Sequence, residues 1–203
     1  MKIEKEEIIN AAIDLFAEHG VKEVPIEMIA EKLKVTRPNV YHHFKKGKDE
    51  IIENILRLFD NIIIDTLKDI KKRKDSDTAD SILSSLFLMF REEDSERGRK
   101  IGRIIFADHV YVDKIGKYLS EIFYKKRETF YVKVFNALIS NGKLKPFDTG
   151  AAARILNGMF IAYTLQDSFS YPCANTDSSH LLNHIKNDYM FIINQIINGN
   201  FKK

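Results

Sequence analysis

The sequence predicts an all-α protein, with three helices in an N-terminal domain (residues 1–48) and a larger helical domain after it (residues 49–203). Apolar residues recur at helical spacing over most of the chain, and no segment shows the alternation of a half-buried strand. The chain has only 9 Gly and 4 Pro among its 203 residues, too few turn-forming residues for a many-stranded sandwich or barrel. Its hydrophobic content of 44% is enough for a packed core.

Three helices are predicted in the first 44 residues. The first ends near Gly20 and has one apolar face, formed by Ile8, Ile9, Ala12, Leu15 and Phe16. The second has a shorter apolar set, formed by Ile26, Ile29, Ala30 and Leu33. Thr36 is predicted to cap the third, which has Pro38 in its first turn and ends at about Phe44. Two short helices separated by a tight turn are typical of a helix-turn-helix.

The larger domain is predicted to be helical throughout. Its first helix covers about 49–70, and the polar segment 71–80 is expected to form a loop. Further helices are predicted near residues 82–90, 101–105, 112–140, 149–169 and 177–198. Gly142 follows the end of the longest of these, and Asp148 is expected to cap the helix that comes next.

Basic residues are concentrated in one stretch of the N-terminal domain. The formal net charge is +3, and residues 1–50 are nearly balanced, with nine Lys/Arg and ten Asp/Glu. From Lys32 to Lys48, however, there are six basic residues, two histidines and no acidic residue. A balanced module with one such stretch is what a surface for a polyanion requires, although a charge run alone more often forms a solvated loop.

The N-terminal helices also carry an extended motif. Residues 8–20 read IINAAIDLFAEHG, and residues 26–52 read IEMIAEKLKVTRPNVYHHFKKGKDEII. This pattern resembles the DNA-binding domain of TetR-family transcriptional regulators. The matching positions are Ala11, Ala12, Leu15, Phe16, Gly20, Ile29, Ala30, Val35, Thr36, Val40, Tyr41, His43, Phe44 and Lys48. The resemblance implies a recognition helix that enters the major groove of double-stranded operator DNA.

The side chains of the third helix have the chemistry for that contact. Arg37 and Asn39 project from its first turn, where Arg suits guanine and Asn suits adenine. The resemblance assigns Tyr41 and His43 to the DNA backbone, and Lys48 is expected to bind phosphate. The complete set of predicted DNA-binding residues is Lys34, Thr36, Arg37, Pro38, Asn39, Tyr41, His42, His43 and Lys48.

Two positions depart from the family pattern. Lys34 stands where the family usually has glycine, so we expect a left-handed backbone there at a cost of about 1 kcal/mol. Pro25 stands where a hydroxyl residue often caps the second helix, which removes one expected phosphate contact.

In the family, the remaining helices form a two-fold dimer and bind a small molecule. Small residues on one side of the 149–169 helix permit close approach of a second helix, and the last helix has a broad apolar stripe. These stripes suit burial within one subunit equally well, and the resemblance favours a homodimer. The predicted interface residues are Ala151, Gly158, Ala162, Ile185 and Ile192.

Aromatic residues are concentrated between positions 87 and 171, together with a few polar residues. Most must belong to the core, but this mixture also fits an apolar pocket with orienting polar groups. The candidate lining residues are Phe90, His109, Tyr131, Phe135 and Tyr163. The implied effector is a small apolar or aromatic molecule.

Enzymatic and metal sites find little support. Cys173 is a single cysteine beside a proline, and His180 and His184 have no acidic or cysteine ligands clustered with them. No cofactor, metal or catalytic residue is predicted, and the absence of a signal peptide or membrane span predicts a cytoplasmic protein. The leading hypothesis is a ligand-responsive repressor. The alternatives are an all-helical enzyme whose basic segment is incidental, and a constitutive DNA-binding protein without an effector.

Overall fold

The computed structural model describes residues 3–71, 78–85, 95–170 and 179–200. The described residues form helices and connecting turns, without strands, which confirms the predicted fold class. The helices are α1 (Lys5–His19), α2 (Ile26–Lys32), α3 (Arg37–His43), α4 (Lys48–Lys71), α5 (Ala79–Ser85), α6 (Ser95–Asp108), α7 (Asp113–Lys117), α8 (Tyr124–Ser140), α9 (Thr149–Ser170) and α10 (Ser179–Ile197). None of these helices is long and apolar enough to cross a membrane.

The N-terminal three-helix unit follows the local signals of the sequence. A reciprocal capping box between Glu4 and Glu7 starts α1, and Gly20 ends it with a φ of 83°. Thr36 caps α3 as predicted. Ile29, Val40 and Phe44 are fully buried in the hydrophobic core, and Leu33 of the predicted apolar set is half-buried.

The segment predicted as one helix over 112–140 is divided in the structure. α7 is followed by a π-helical segment, Tyr118–Phe123, and only then by α8. In this segment the Tyr124 N–H donates to the Leu119 carbonyl, five residues back, which widens the helix by one residue. Hydrophobic spacing does not reveal such a widening, because the segments on either side keep helical periodicity.

The two parts of the chain meet mainly where α6 packs against α1 and α4. Asp14 of α1 accepts from Lys100 of α6 at 2.8 Å and lies 3.2 Å from Lys32 of α2. In the larger part, α9 packs against both α6 and α8. The N-terminal three-helix unit therefore rests on helices that continue into the core of the larger part.

Candidate nucleic-acid interface

The turn between α2 and α3 fixes how the candidate recognition helix stands on its support. Lys34 has a φ of 54°, the left-handed conformation expected from the sequence, and its N–H donates to the Glu31 carbonyl at 2.9 Å. The Val35 N–H then donates to the Ala30 carbonyl at 3.0 Å. These two bonds close the turn, so that α3 begins immediately after it at Arg37.

One side of α3 is buried and the other faces solvent. Val40 is fully buried, while Tyr41 and His43 are half-buried. Four of the predicted DNA-binding residues on α3 are exposed: Arg37, Pro38, Asn39 and His42. Lys34 and Thr36 are exposed at the entry to the helix. The structure thus brings the predicted DNA-binding residues of α3 and its preceding turn onto one short surface.

Arg37 is held by two neighbours on this surface. Its Nη1 lies 2.7 Å from Oε1 of Glu27, a residue in the first turn of α2. Its guanidinium carbon lies 5.5 Å from the centre of the Tyr41 ring. The hydrogen bond with Tyr41 and then the charge of Glu27 raise the pKa of Arg37 above its ordinary value. Sequence analysis did not single out Glu27, because the contact joins two helices.

Asn39 contributes to the cap of its own helix. Its Oδ1 accepts from the Thr36 backbone N–H at 3.1 Å and from the Thr36 hydroxyl. A bidentate contact with adenine uses both the amide oxygen and the amide nitrogen. The predicted adenine contact would therefore have to share or replace the capping bond.

Lys48, the first residue of α4, points into the N-terminal unit. Its Nζ donates to the carbonyls of Val21 at 2.9 Å and Val24 at 3.1 Å, in the loop between α1 and α2. It also donates to the Lys22 carbonyl at 3.5 Å, so all three donors of the ammonium group are used, and a phosphate would have to replace or share one of these bonds. The phosphate contact stays a prediction, and the loop contact is a second role that the sequence did not indicate.

The predicted pocket residues fall in different places in the structure. Tyr131 and Phe135 are buried and stacked on α8, with ring centres 6.3 Å apart. Tyr163 of α9 is half-buried and its hydroxyl donates to Asp188 of α10, a contact that raises the pKa of Tyr163 to about 12. His109 follows α6, with Nδ1 2.8 Å from the Phe106 carbonyl oxygen. Phe90 lies outside the described residues.

A buried arginine that sequence analysis missed lies beside Tyr131. The guanidinium of Arg127 is fully buried and donates to the Asn157 side-chain oxygen at 3.1 Å and to the Tyr131 hydroxyl at 3.2 Å. It also lies 3.5 Å from the centre of the Phe160 ring. Burial lowers the pKa of Arg127. The available signal was its spacing: position 127 is four residues before Tyr131, on the apolar face of the same helix.

An open cleft of about 510 Å³ lies elsewhere, between the ends of α1 and α6. Its lining mixes both charges with two aromatic rings and includes Phe16, His19, Lys22, Arg103, Asp108 and Tyr111. Among the residues with described positions, no group of three or more His, Cys, Asp or Glu could hold a metal ion.

The candidate dimer residues lie on α9 and α10. Gly158 and Ala162 are exposed on α9, near the 41%-exposed Ile155. On α10, Phe191 is 61% exposed and the neighbouring Ile192 is half-buried. Ala151 is half-buried, and the side chain of Ile185 lies outside the described part of the chain. An apolar, small-residue surface is therefore present where the sequence predicted an interface.

The helices α2 and α3 and the tight turn between them form a helix-turn-helix, and the exposed side of α3 carries the residues predicted to contact DNA. Residues 8–55 match the family model described as bacterial regulatory proteins, tetR family. The chain is 40% identical over 52 residues to the HTH-type transcriptional regulator SrpR of Pseudomonas putida, and 33% identical over 55 residues to the HTH-type transcriptional repressor KstR2 of Mycolicibacterium smegmatis. These matches cover 26% and 27% of this chain, and 24% and 26% of the two relatives.

Similarity in structure extends over nearly the whole chain. A solved complex of SmeT with triclosan has a TM-score of 0.72 at 22% identity, covering 96% of this chain and 90% of that one. This likeness shows the fold, and the shorter sequence matches place the DNA-binding segment. Together the comparisons show that residues 8–55 are similar to the DNA-binding segment of TetR-family regulators and that the chain shares the fold of the SmeT structure.

Proposed function

We propose that this chain is a ligand-responsive repressor that binds a palindromic operator as a homodimer and is released by a small apolar or aromatic effector. Residues 1–48 would form the DNA-binding domain, and residues 49–203 the effector-binding and dimerisation domain. The observation that carries the proposal is the surface of α3: a capped helix whose exposed first turn presents Arg37 and Asn39 beside an acid-free basic segment.

The dimer is supported by the exposed apolar surface of α9 and α10. A large exposed side chain such as Phe191 needs a partner surface to be removed from water. The small residues Gly158 and Ala162 permit a second helix to approach closely, as in a four-helix bundle across a two-fold axis. Such a dimer would present two copies of α3 to a two-fold symmetric operator.

An effector site is supported by the composition of the larger domain. Buried aromatic rings on α8, together with the Arg127 and Asn157 side chains, combine an apolar environment with a few polar groups. The structurally similar SmeT has been solved with triclosan, a small aromatic molecule. An apolar or aromatic effector for this chain is proposed on both grounds.

The proposed switch uses α4, which belongs to both parts of the chain. Its 24 residues make a rod about 36 Å long that packs against α1 and α6. Recognition helices in successive major grooves must stand roughly 34–36 Å apart. An effector that prefers a different tilt of the rod would change this spacing and so weaken operator binding.

DNA binding is tested by selection from a randomised duplex library followed by titration at several salt concentrations. Arg37→Ala should cost about 1–3 kcal/mol per half-site and relax the base preference at one position. Lys48→Ala should weaken binding to all sequences alike and reduce the salt slope by about one for each phosphate that the lysine binds. Lys125→Ala, the same charge change at an exposed position on α8, is the control. A wild-type protein that selects no sequence would refute the proposal.

The dimer is tested by sedimentation at micromolar concentration. Gly158→Leu or Ala162→Leu should overpack the proposed helix contact by about 1–3 kcal/mol and produce monomer. Ala137→Leu, at an exposed position on α8, is the matched control and should leave the association unchanged. A monomeric wild type would contradict the palindromic mode of binding.

A further inference from the structure

A carboxylate lies on the DNA-facing surface, in contact with the arginine that is best placed to read a base. Glu27 Oε1 lies 2.7 Å from Arg37 Nη1. Both side chains remain about half exposed, at 50% and 57%. The sequence has no acidic residue from position 32 to 48, so folding introduces this negative charge into the basic surface from the preceding helix.

The position of Glu27 has a local benefit and a cost for binding. As the second residue of α2, its carboxylate interacts favourably with the positive end of that helix. Next to DNA, the same charge repels phosphate and satisfies one donor of Arg37. An exposed ion pair is weak, so a well-placed guanine edge can replace it, whereas a loosely held phosphate gains little by doing so.

We propose that Glu27 is a specificity-determining residue, which restrains Arg37 from phosphate contact on random DNA and leaves it available for base contact at the preferred sequence. The inference rests on the proposed DNA-binding function. The Tyr41 ring lies near the guanidinium and Glu27 holds one end of it, so the arginine is restrained from two directions. On random DNA, an arginine paired in this way releases no counterion, and its contribution to the salt slope is lost.

The test compares Glu27→Gln with Glu31→Gln in the full-length protein. Glu31 lies one turn later on α2 and is exposed, so the second variant removes the same charge from the same helix. Affinity is measured by fluorescence anisotropy across a salt series, for a random-sequence duplex and for the best sequence that the wild type selects. Circular dichroism confirms that both variants fold.

Glu27→Gln should raise affinity for random DNA about two- to fivefold and steepen its salt slope by about 0.9 per recognition helix. Affinity for the selected sequence should change less, so that discrimination falls. Glu31→Gln should leave the slope as in the wild type. If the two variants had equal effects, the loss of any negative charge from α2 would explain the result, and the specific role of Glu27 would be refuted. The inference would also be refuted if Glu27→Gln had no effect.

A second comparison assigns the effect to the arginine. In an Arg37→Ala background, Glu27→Gln should no longer raise affinity for random DNA; persistence of the full gain would refute a role through Arg37. A wild type that selects no sequence would refute the proposed function, whereas selection without any change in Glu27→Gln would refute only the role of Glu27.

Discussion

The link between α6 and the loop after α1 gives the sharpest prediction of stability. Asp108, the last residue of α6, is 7% exposed and places both carboxylate oxygens 3.2 Å from the Val21 backbone nitrogen. The carbonyl of the same Val21 accepts from Lys48 of α4. The backbone of the buried residue Val21 is therefore bonded to α6 through its N–H and to α4 through its carbonyl.

Replacing Asp108 with Ala or Asn separates the hydrogen bond from the charge. Both substitutions remove a carboxylate that is partly desolvated and that stands at the unfavourable, negative end of α6. Asn keeps an acceptor for Val21, whereas Ala leaves a buried N–H without one, at a cost of about 1–3 kcal/mol. Asp108→Asn should therefore be more stable than Asp108→Ala by about that amount.

The pH dependence of the wild type has a definite sign. Burial raises the pKa of Asp108, although the Val21 N–H and the charges of Arg103 and Lys48 oppose this. A carboxyl with a raised folded-state pKa contributes stability below its ordinary value of 3.8, and this contribution is lost as pH rises through the folded value. As pH rises from 3.8 to the folded-state pKa, the stability of Asp108→Asn should therefore increase relative to that of the wild type. Above the folded-state pKa the difference in stability should stay constant.

Urea denaturation followed by circular dichroism at several pH values measures these differences. Hydrogen exchange of the Val21 amide gives the local readout: protection should be retained in Asp108→Asn and reduced in Asp108→Ala. If the Ala variant equals the Asn variant in stability and in Val21 protection, the bond between α6 and the loop does not hold the two parts together as argued.

Four other substitutions have expected outcomes that thermal or urea unfolding can measure. Gly116→Ala places a Cβ 2.7 Å from the His109 carbonyl oxygen and should lower the free energy of unfolding by about 1–3 kcal/mol. At Gly98 of α6 an added Cβ meets nothing within 4 Å, so Gly98→Ala should raise the free energy of unfolding by as much as about 1 kcal/mol. Lys34→Gly should stabilise by about 1 kcal/mol because the φ of 54° suits glycine; an unchanged midpoint would contradict this. Burial raises the pKa of Asp14, but its two lysine partners outweigh burial and lower it. Asp14→Asn should therefore be less stable than the wild type at pH 7. This difference should disappear as pH falls below 3.8 through the lowered folded-state pKa of Asp14. A difference that did not change with pH would show that the ion pairs are not its cause.

The N-terminal unit could be predicted well because its signals are local. A glycine at the end of α1, a capping threonine before α3 and a residue forced into the left-handed region are each determined within a few positions. The end of α1 and the cap of α3 depend on neighbouring residues, so a single sequence is enough to find them, whereas the conformation at Lys34 was inferred from the glycine that the family usually has there.

The missed features depend on residues that are distant in sequence. The bond between Asp108 and Val21 spans 87 positions, and Arg127 is buried only because α9 supplies Asn157 and the Phe160 ring. The candidate pocket residues illustrate the same limit: Tyr131 and Phe135 share a helix and lie together, while Tyr163 contacts α10. Helical periodicity gives the face of each helix but not the helix that it meets.

The basic segment shows how folding changes the meaning of a charge count. Of its six basic residues, Lys32 lies beside Asp14, Arg37 beside Glu27, and Lys48 donates to loop carbonyls, which leaves three lysines as its remaining cations, Lys34, Lys45 and Lys46, all exposed. Exposed lysines attract phosphates of any sequence, whereas an arginine held in place gives a base contact its geometry. A DNA-binding protein that must find one site among many competing ones depends on the ratio of its specific to its non-specific affinity. Low affinity for random DNA therefore matters as much as high affinity for the preferred site. The acidic partners contributed by α1 and α2 are therefore as much a part of the proposed interface as the basic residues that first indicated it.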